Sequence, residues 1–425
     1  MLINESVTWS RTSCPPAAGS VARDGRRGKL SSSLKCDCEL SIGLKEAPAN
    51  ASTMPRICCY EVSNSKGGTG LSGPVCPNPR WRSTSLTTSD PILLVGFSAV
   101  GDFVRCHSAI QIIAQKFPDR PIDVITSSVA LPLAGLMPHV RKGWALDKRH
   151  LRLGIGERRR LVGELRKQNY RTAYLMTSTT KAALMTFMAG IPERIGYPQE
   201  WQFGLLNRLP ADWLGHLWEF GPRKRRIFEE VCSIASLGEK PAADTQWPAP
   251  QLVVDPAELD DWRRRQKIDA DRPALSLYTA DVDNFRSWPV ERFISIAKDY
   301  HDRGWAIWIV GGSRERAGAA QIRAAIPEAV DFTSTPSIAE AMCQIAASTM
   351  FLGVDGGISH AAAALNVPCA LIYGMNRPYV HGPVNSHVRF LEPRLSTPSW
   401  ITDTLGVSED RVRETLARLS TEVRT

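Results

Sequence analysis

From residue 91 to the C-terminus, short apolar runs alternate with longer stretches whose apolar positions recur every three or four residues. A wholly apolar run suits a strand buried on both faces, and the 3.6-residue period suits a helix laid over a sheet. Strands are predicted at 92–97, 122–126 and 171–176, with a shorter helix between the second and third. Helices are predicted at 102–117, 181–189 and 217–237, Pro222 marking a break or a start near the beginning of the last. Residues 239–256 interrupt the pattern with Pro241, Pro248, Pro250 and Pro256 and read as a linker. The alternation then resumes with strands at 274–278, 306–310, 350–354 and 369–373. Helices are expected at 289–302, 314–326, 338–347 and 358–365, and a last one at 408–419 with Ser408 as its N-cap. This strand–helix order implies α/β architecture with parallel sheets. The expectation is two doubly wound, Rossmann-like domains, at 91–238 and 257–395, with a C-terminal helix within 396–425. Such sheets, facing each other about a hinge, bind ligands in the cleft between their carboxyl ends.

Residues 1–90 carry neither period, and their Ser-, Gly- and Thr-rich stretches read as a low-complexity, disordered extension. They hold six of the ten cysteines and none of the eight histidines. Cys36-Asp37-Cys38 and Cys58-Cys59 lack zinc-knuckle spacing, so neither a metal site nor a disulfide framework is expected. No charged start leads into an apolar segment of signal-peptide type. The simplest expectation is an over-long reading of the gene, with translation starting near Met54 or later. Cys106, Cys232, Cys343 and Cys369 lie in apolar surroundings, as free thiols of a reducing cytoplasm do. No run approaches the roughly 18 apolar residues of a membrane span. The chain of 425 residues, 43% hydrophobic and 22% charged, excludes a mostly disordered or collagen-like protein. Of the net charge of +9, the first 90 residues contribute +4 and the rest +5.

Two loops carry candidate chemistry. The first, Gly96-Phe97-Ser98-Ala99-Val100-Gly101-Asp102, turns a strand into a helix. Gly101 admits backbone geometry that a Cβ resists, and Ser98 offers a small hydroxyl. Asp102 either caps the helix and complements its dipole, or faces the cleft as a general base. The second, Asp355-Gly356-Gly357-Ile358-Ser359-His360, repeats the grammar. Backbone amides at such a helix start bind phosphate, and adjacent glycines allow a diphosphate close approach. Asp355 could hold a ribose hydroxyl, with His360 toward the phosphates.

Several ordered motifs then resemble the bacterial heptosyltransferases of glycosyltransferase family 9, most of all the heptosyltransferase II branch. They are Ser98 to Asp102 with the following Lys116-Phe117-Pro118, and Gly156-Glu157-Arg158-Arg159 leading to Leu165-Arg166 and Tyr170. Lys181-Ala182-Ala183-Leu184 with Ala189-Gly190-Ile191-Pro192-Glu193-Arg194-Ile195-Gly196-Tyr197 is the most diagnostic, and Phe203-Gly204-Leu205-Leu206-Asn207 follows it. The Asp355 to Leu365 segment matches the family's donor-nucleotide motif. The resemblance covers some 300 residues, 91–393.

The resemblance implies a two-domain GT-B glycosyltransferase, with the acceptor on the N-terminal domain and ADP-heptose on the C-terminal one. Asp102 would be the base of an inverting transfer to the lipopolysaccharide inner core. Asp355, Gly356, Gly357, Ser359 and His360 would bind the donor; Ser98 and Gly101 are acceptor-binding or loop residues, and Lys181 either faces the cleft toward an acidic sugar or phosphate or is a solvent-facing helix residue. Arg286 stands where relatives carry a phosphate-contacting lysine, and Tyr278-Thr279-Ala280 replaces a Pro-Gly-Ala-like turn. That altered loop keeps open another nucleotide sugar or glycan acceptor, and a non-catalytic nucleotide-binding homologue is a further alternative. Asp281-Val282-Asp283 looks like a DxD motif but belongs to another glycosyltransferase architecture, so no metal and no cofactor is expected. Arg149 and Arg152, Arg158 to Arg160, Arg223 to Arg226 and Arg263 to Arg265 are basic clusters. They are either solvated helix faces or an attraction to a phosphorylated lipid A–Kdo acceptor at the inner leaflet. No nucleic-acid motif accompanies them. A cytoplasmic monomer, peripheral on the inner face of the inner membrane, is expected.

Overall fold

The computed structural model describes residues 90–147, 155–198, 202, 204–216, 226–242, 245–280, 287–334, 337–374, 376–393 and 406–422. The chain divides into two units, Met1–Arg80 and Trp81–Thr425, and all described residues belong to the second. The expectations for residues 1–89 lie outside the described residues.

The first sheet is built from β1 (Ile92–Val95), β2 (Ile122–Thr126), β3 (Val140–Ala145), β4 (Thr172–Leu175) and β5 (Glu193–Ile195). Its order is β3-β2-β1-β4-β5, with every pair parallel. Its helices are α1 (Val100–Lys116), α2 (Ile155–Lys167), α3 (Thr180–Met188), α4 (Trp213–His216) and α5 (Ile227–Ser236), with a 3-10 turn at Leu131–Leu136. The second sheet follows α6 (Pro256–Gln266) and comprises β6 (Ala274–Tyr278), β7 (Ala306–Ile309), β8 (Val330–Asp331), β9 (Met350–Val354), β10 (Cys369–Ile372) and β11 (Val388–Leu391). It is also parallel, in the order β11-β10-β9-β6-β7-β8. Its helices are α7 (Val290–His301), α8 (Arg316–Ala325), α9 (Ile338–Ala346), α10 (Gly357–Ala364), α11 (Pro378–His381) and α12 (Glu409–Glu422).

Alternate residues of each central strand feed different layers. Leu93 and Val95 join α2 and α3 in an outer core, whereas Ile92 and Leu94 join α1 and α5. That second layer runs without a break into the small residues of α10, Ala361 to Ala364, so one apolar core spans both sheets. The far face of the second sheet is covered by α7, α8 and α12 through Phe293, Ile322, Val412, Leu416 and Leu419. The C-terminal helix is therefore a layer of the second domain rather than an appendix to it.

Three further expectations are corrected. The helix predicted over 217–237 begins, within the described residues, only at Ile227: Arg226 is extended and its backbone N–H donates to the Glu229 carboxylate. Residues 217–225 lie outside the described residues. The linker is stitched to both domains: His107 Nδ1 accepts from the Gln251 amide and Gln111 donates to the Ala249 carbonyl, both at 2.8 Å. On the other side Asn385 donates to the Pro250 carbonyl at 3.0 Å. Its last proline is the first residue of α6, capped by the Asp255 side chain on the Ala257 amide at 2.8 Å.

Candidate active site

In each sheet the first strand has neighbours reached by opposite windings, β2 and β4 beside β1, β7 and β9 beside β6. The loops leaving the two sides diverge there and open a crevice at the strands' carboxyl ends. The first turn of α1, after β1, carries Gly101 and Asp102; the turn after β9 carries Asp355 and Gly356 and leads into Gly357, the first residue of α10, beside Tyr278 at the end of β6. The two segments meet at one end and line a common cleft of about 760 Å³. Gly101, Asp102, Asp355, Gly356, Gly357 and His360 all line it.

The glycines are there for space. A Cβ on Gly101 would lie 2.8 Å from His360 Cδ2 and 3.3 Å from Gly357 Cα. A Cβ on Gly357 would lie 3.0 Å from Val100 Cβ and 3.2 Å from the Gly101 nitrogen, and one on Gly356 would strike the Tyr278 ring at 2.7 Å. Gly101 sits inside α1 rather than in a turn, so its backbone needs no unusual geometry; the close approach of α10 excludes a side chain.

Asp102 does not cap α1. The N-cap is Ala99, without a side-chain bond, and Asp102 lies in the first turn, where its charge complements the helix dipole. Its Oδ1 accepts from the Arg105 guanidinium, its side chain is 30% exposed, and Oδ2 has no hydrogen-bond partner among the described residues. Arg105 itself is buried, and its other terminal nitrogen meets His360 Nε2 at 3.0 Å and the His381 carbonyl. Burial, and then the adjacent Arg105 charge, hold His360 well below the usual imidazole range, so the ring is neutral. An arginine can only donate, which assigns Nε2 as acceptor and Nδ1 as the protonated nitrogen.

On the donor side, Asp355 is buried and accepts from the Asn376 amide nitrogen. A third glycine turn, Gly311-Gly312 after β7, completes the rim. Gly311 has a φ of +148°, and the buried Glu315 carboxylate accepts from the Gly312 amide at 2.6 Å. Arg314, exposed beside it, lines the cleft.

Three proposed site residues stand elsewhere. Ser359 is fully buried and its hydroxyl donates to the Val354 carbonyl at 2.6 Å, closing the β9–α10 turn rather than facing the cleft. Ser98 is half-buried and its carbonyl accepts from the Ser127 hydroxyl at 2.7 Å. Lys181 is exposed on the first turn of α3, because Ala182 and Ala183 take the core-facing positions. Arg286, Asp281 and Asp283 lie outside the described residues, as do Arg149, Arg152 and residues 223–225. Arg263 and Arg264 pair with Asp260 and Asp261 on their own helix, a solvated face. Sequence reasoning missed Arg105, Glu315 and Asn376, and named Tyr278 only as part of an altered loop. Only Glu315 had a signal, since Gly311-Gly312 between a strand and a helix repeats the grammar of the other two turns.

Residues 158–398 match the profile of glycosyltransferase family 9 (heptosyltransferase). The lipopolysaccharide heptosyltransferase 2 of Escherichia coli is 28% identical over 71% of this chain and 87% of its own length. The lipooligosaccharide heptosyltransferase 2 of Haemophilus influenzae is 28% identical over 72% and 90%. The solved structure of E. coli ADP-heptose lps heptosyltransferase II superposes with a TM-score of 0.68 at 25% identity, over 79% of this chain and all of that one. A family 9 glycosyltransferase from Veillonella parvula shares the fold, with a TM-score of 0.69 at 13% identity. With its glycine-bearing segments lining a cleft at the ends of two parallel sheets and more than half its length matched, the chain belongs to glycosyltransferase family 9, the heptosyltransferases.

Proposed function

We infer that this enzyme transfers heptose from ADP-heptose to the inner core of lipopolysaccharide with inversion at the anomeric carbon. The observation that carries this reading is that Asp102 and the Asp355–Gly357 segment line one cleft. The acceptor hydroxyl gives its proton to Asp102 Oδ2 as its oxygen bonds the anomeric carbon. The bond from that carbon to the diphosphate oxygen breaks on the opposite face, and the negative charge passes to departing ADP. The Gly357 and Ile358 amides at the start of α10, the dipole of that helix and the Arg314 side chain favour that charge. A neutral His360 adds a hydrogen-bonding edge without a charge of its own. These groups supply the electrostatic stabilisation themselves, so we propose that neither metal nor cofactor is required.

The acceptor is amphiphilic. Among the described residues no helix is long and apolar enough to cross a membrane. We therefore propose a monomer that works from the cytoplasmic side, peripheral on the inner leaflet, with Arg159 and Arg160 exposed on α2 toward acidic headgroups. Replacing Asp102 with Asn tests the chemistry: transfer is lost while ADP affinity stays near that of the wild type, and excess EDTA leaves wild-type turnover unchanged. Turnover by the Asn variant contradicts the assignment of the base.

A further inference from the structure

Arg105 is out of place by the ordinary logic of a buried helix. Its neighbours Phe103, Val104, Cys106, Ser108 and Ala109 are all buried, and Arg105 itself is only 5% exposed. An unpaired guanidinium in such surroundings is strongly destabilising, so its partners define its purpose. They come from both sides of the cleft. One terminal nitrogen holds Asp102 Oδ1 on the same helix, and the other reaches His360 on α10 and the carbonyl of His381 on α11. The carboxylate is left with one oxygen fixed and the other open, which is the arrangement a proton acceptor needs.

We propose that Arg105 is the positioning residue of the transfer: it orients Asp102 and couples that orientation to the contact between the two domains. The planar fork suits this role. It spans two partners on separate nitrogens, whereas a lysine ammonium puts its three donors on one nitrogen and cannot reach partners that far apart with the same geometry. Were α10 to withdraw, the bonds to His360 and His381 would be lost and Arg105 would keep only its partner on α1, Asp102. The base is therefore fully aimed only when the donor side is in place. Other charged or titratable groups facing Arg105 are Asp355, Tyr373 and Cys106.

This inference rests on Asp102 being the base of the transferase reading, and the test separates the two. Full-length wild type, Arg105→Met and Arg105→Lys are compared for turnover of ADP-heptose with a truncated-core acceptor, for KM, for ADP affinity by calorimetry and for melting temperature. The expected result for Arg105→Met is a loss of kcat of about 100-fold, the scale of misplacing a reacting group by about 1 Å. ADP affinity stays within about threefold, and Arg105→Lys recovers part of the turnover. Unchanged kcat in Arg105→Met overturns the proposal, as does a loss of ADP affinity as large as the loss of kcat. If Arg105→Met does not fold, Arg105→Lys decides: lower kcat at wild-type melting temperature supports the role, and full kcat overturns it. An inactive wild type overturns the transferase reading itself, whereas an active wild type with an indifferent Arg105→Met overturns only the role of Arg105.

Discussion

Gly101→Ala is the smallest change that probes how the two domains meet. The added methyl would stand 2.8 Å from His360 Cδ2, about 1 Å short of the usual carbon contact of roughly 3.5–4.0 Å. Neither side of the contact gives easily. The imidazole is buried and held by Arg105, and the next obstacle, Gly357 Cα at 3.3 Å, is backbone. Overpacking of this kind costs about 1–3 kcal/mol. Each kcal/mol lowers the melting temperature by about 1–2 °C in a protein of this size. The damage to chemistry is larger, because α1 and α10 carry opposite halves of the site: a shift of about 1 Å lowers turnover by about 100-fold. Gly163→Ala is the control. It lies within α2 with nothing within 4 Å of the added methyl, and the helix gains about 0.5–1 kcal/mol from the exchange. Differential scanning calorimetry and initial rates on both variants make the comparison. A Gly101→Ala protein that melts and turns over like the wild type refutes the contact between the two turns.

Acid and core truncation supply two more outcomes. His107 is fully buried, takes the Gln251 amide on Nδ1, and has its pKa pushed down by burial to about 4. The unfolded chain therefore binds a proton below about pH 6.5 that the native state refuses, and stability present above that pH is lost as it falls toward 4, by about 3 kcal/mol for this group. Urea midpoints at pH 7.5 and 5 should fall, and His107→Gln should show a smaller slope; equal slopes contradict the assignment. Trp262 is fully buried and packs against Trp308 and Phe332, with centroids at 6.0 and 5.8 Å, so Trp262→Ala should cost about 3–5 kcal/mol in denaturant unfolding. A loss under about 1 kcal/mol would show that α6 is not anchored there.

Which elements could be read from sequence follows from where they sit. The interior strands β1, β2, β4, β6, β7, β9 and β10 fall on the predicted apolar runs, because burial on both faces leaves few polar positions, such as Asp123 in β2 and Ser276 in β6. The four strands not anticipated, β3, β5, β8 and β11, are the sheet edges. β5 and β8 are only three and two residues long, and β3, though six, is largely exposed and half-polar over Val140–Ala145, a character that helps edges resist pairing. Helix α6 escaped for a related reason: Trp262 is its one buried residue, and a single apolar position has no period. At the site, Asp102 and the Asp355–Gly357 turn were legible because each sits where a strand becomes a helix. Arg105 was not. An arginine three residues after an aspartate reads as a solvated pair, and only the arrival of α10, more than 250 positions away in sequence, buries it.

The central claim is a transfer, and product mass tests it most directly. Purified protein is incubated with ADP-heptose and lipopolysaccharide bearing a truncated inner core, and the acceptor is then weighed. The account predicts a gain of one heptose, stoichiometric release of ADP, an inverted linkage and no gain with Asp102→Asn. An acceptor left unchanged by ADP-heptose but extended from another nucleotide sugar would contradict it.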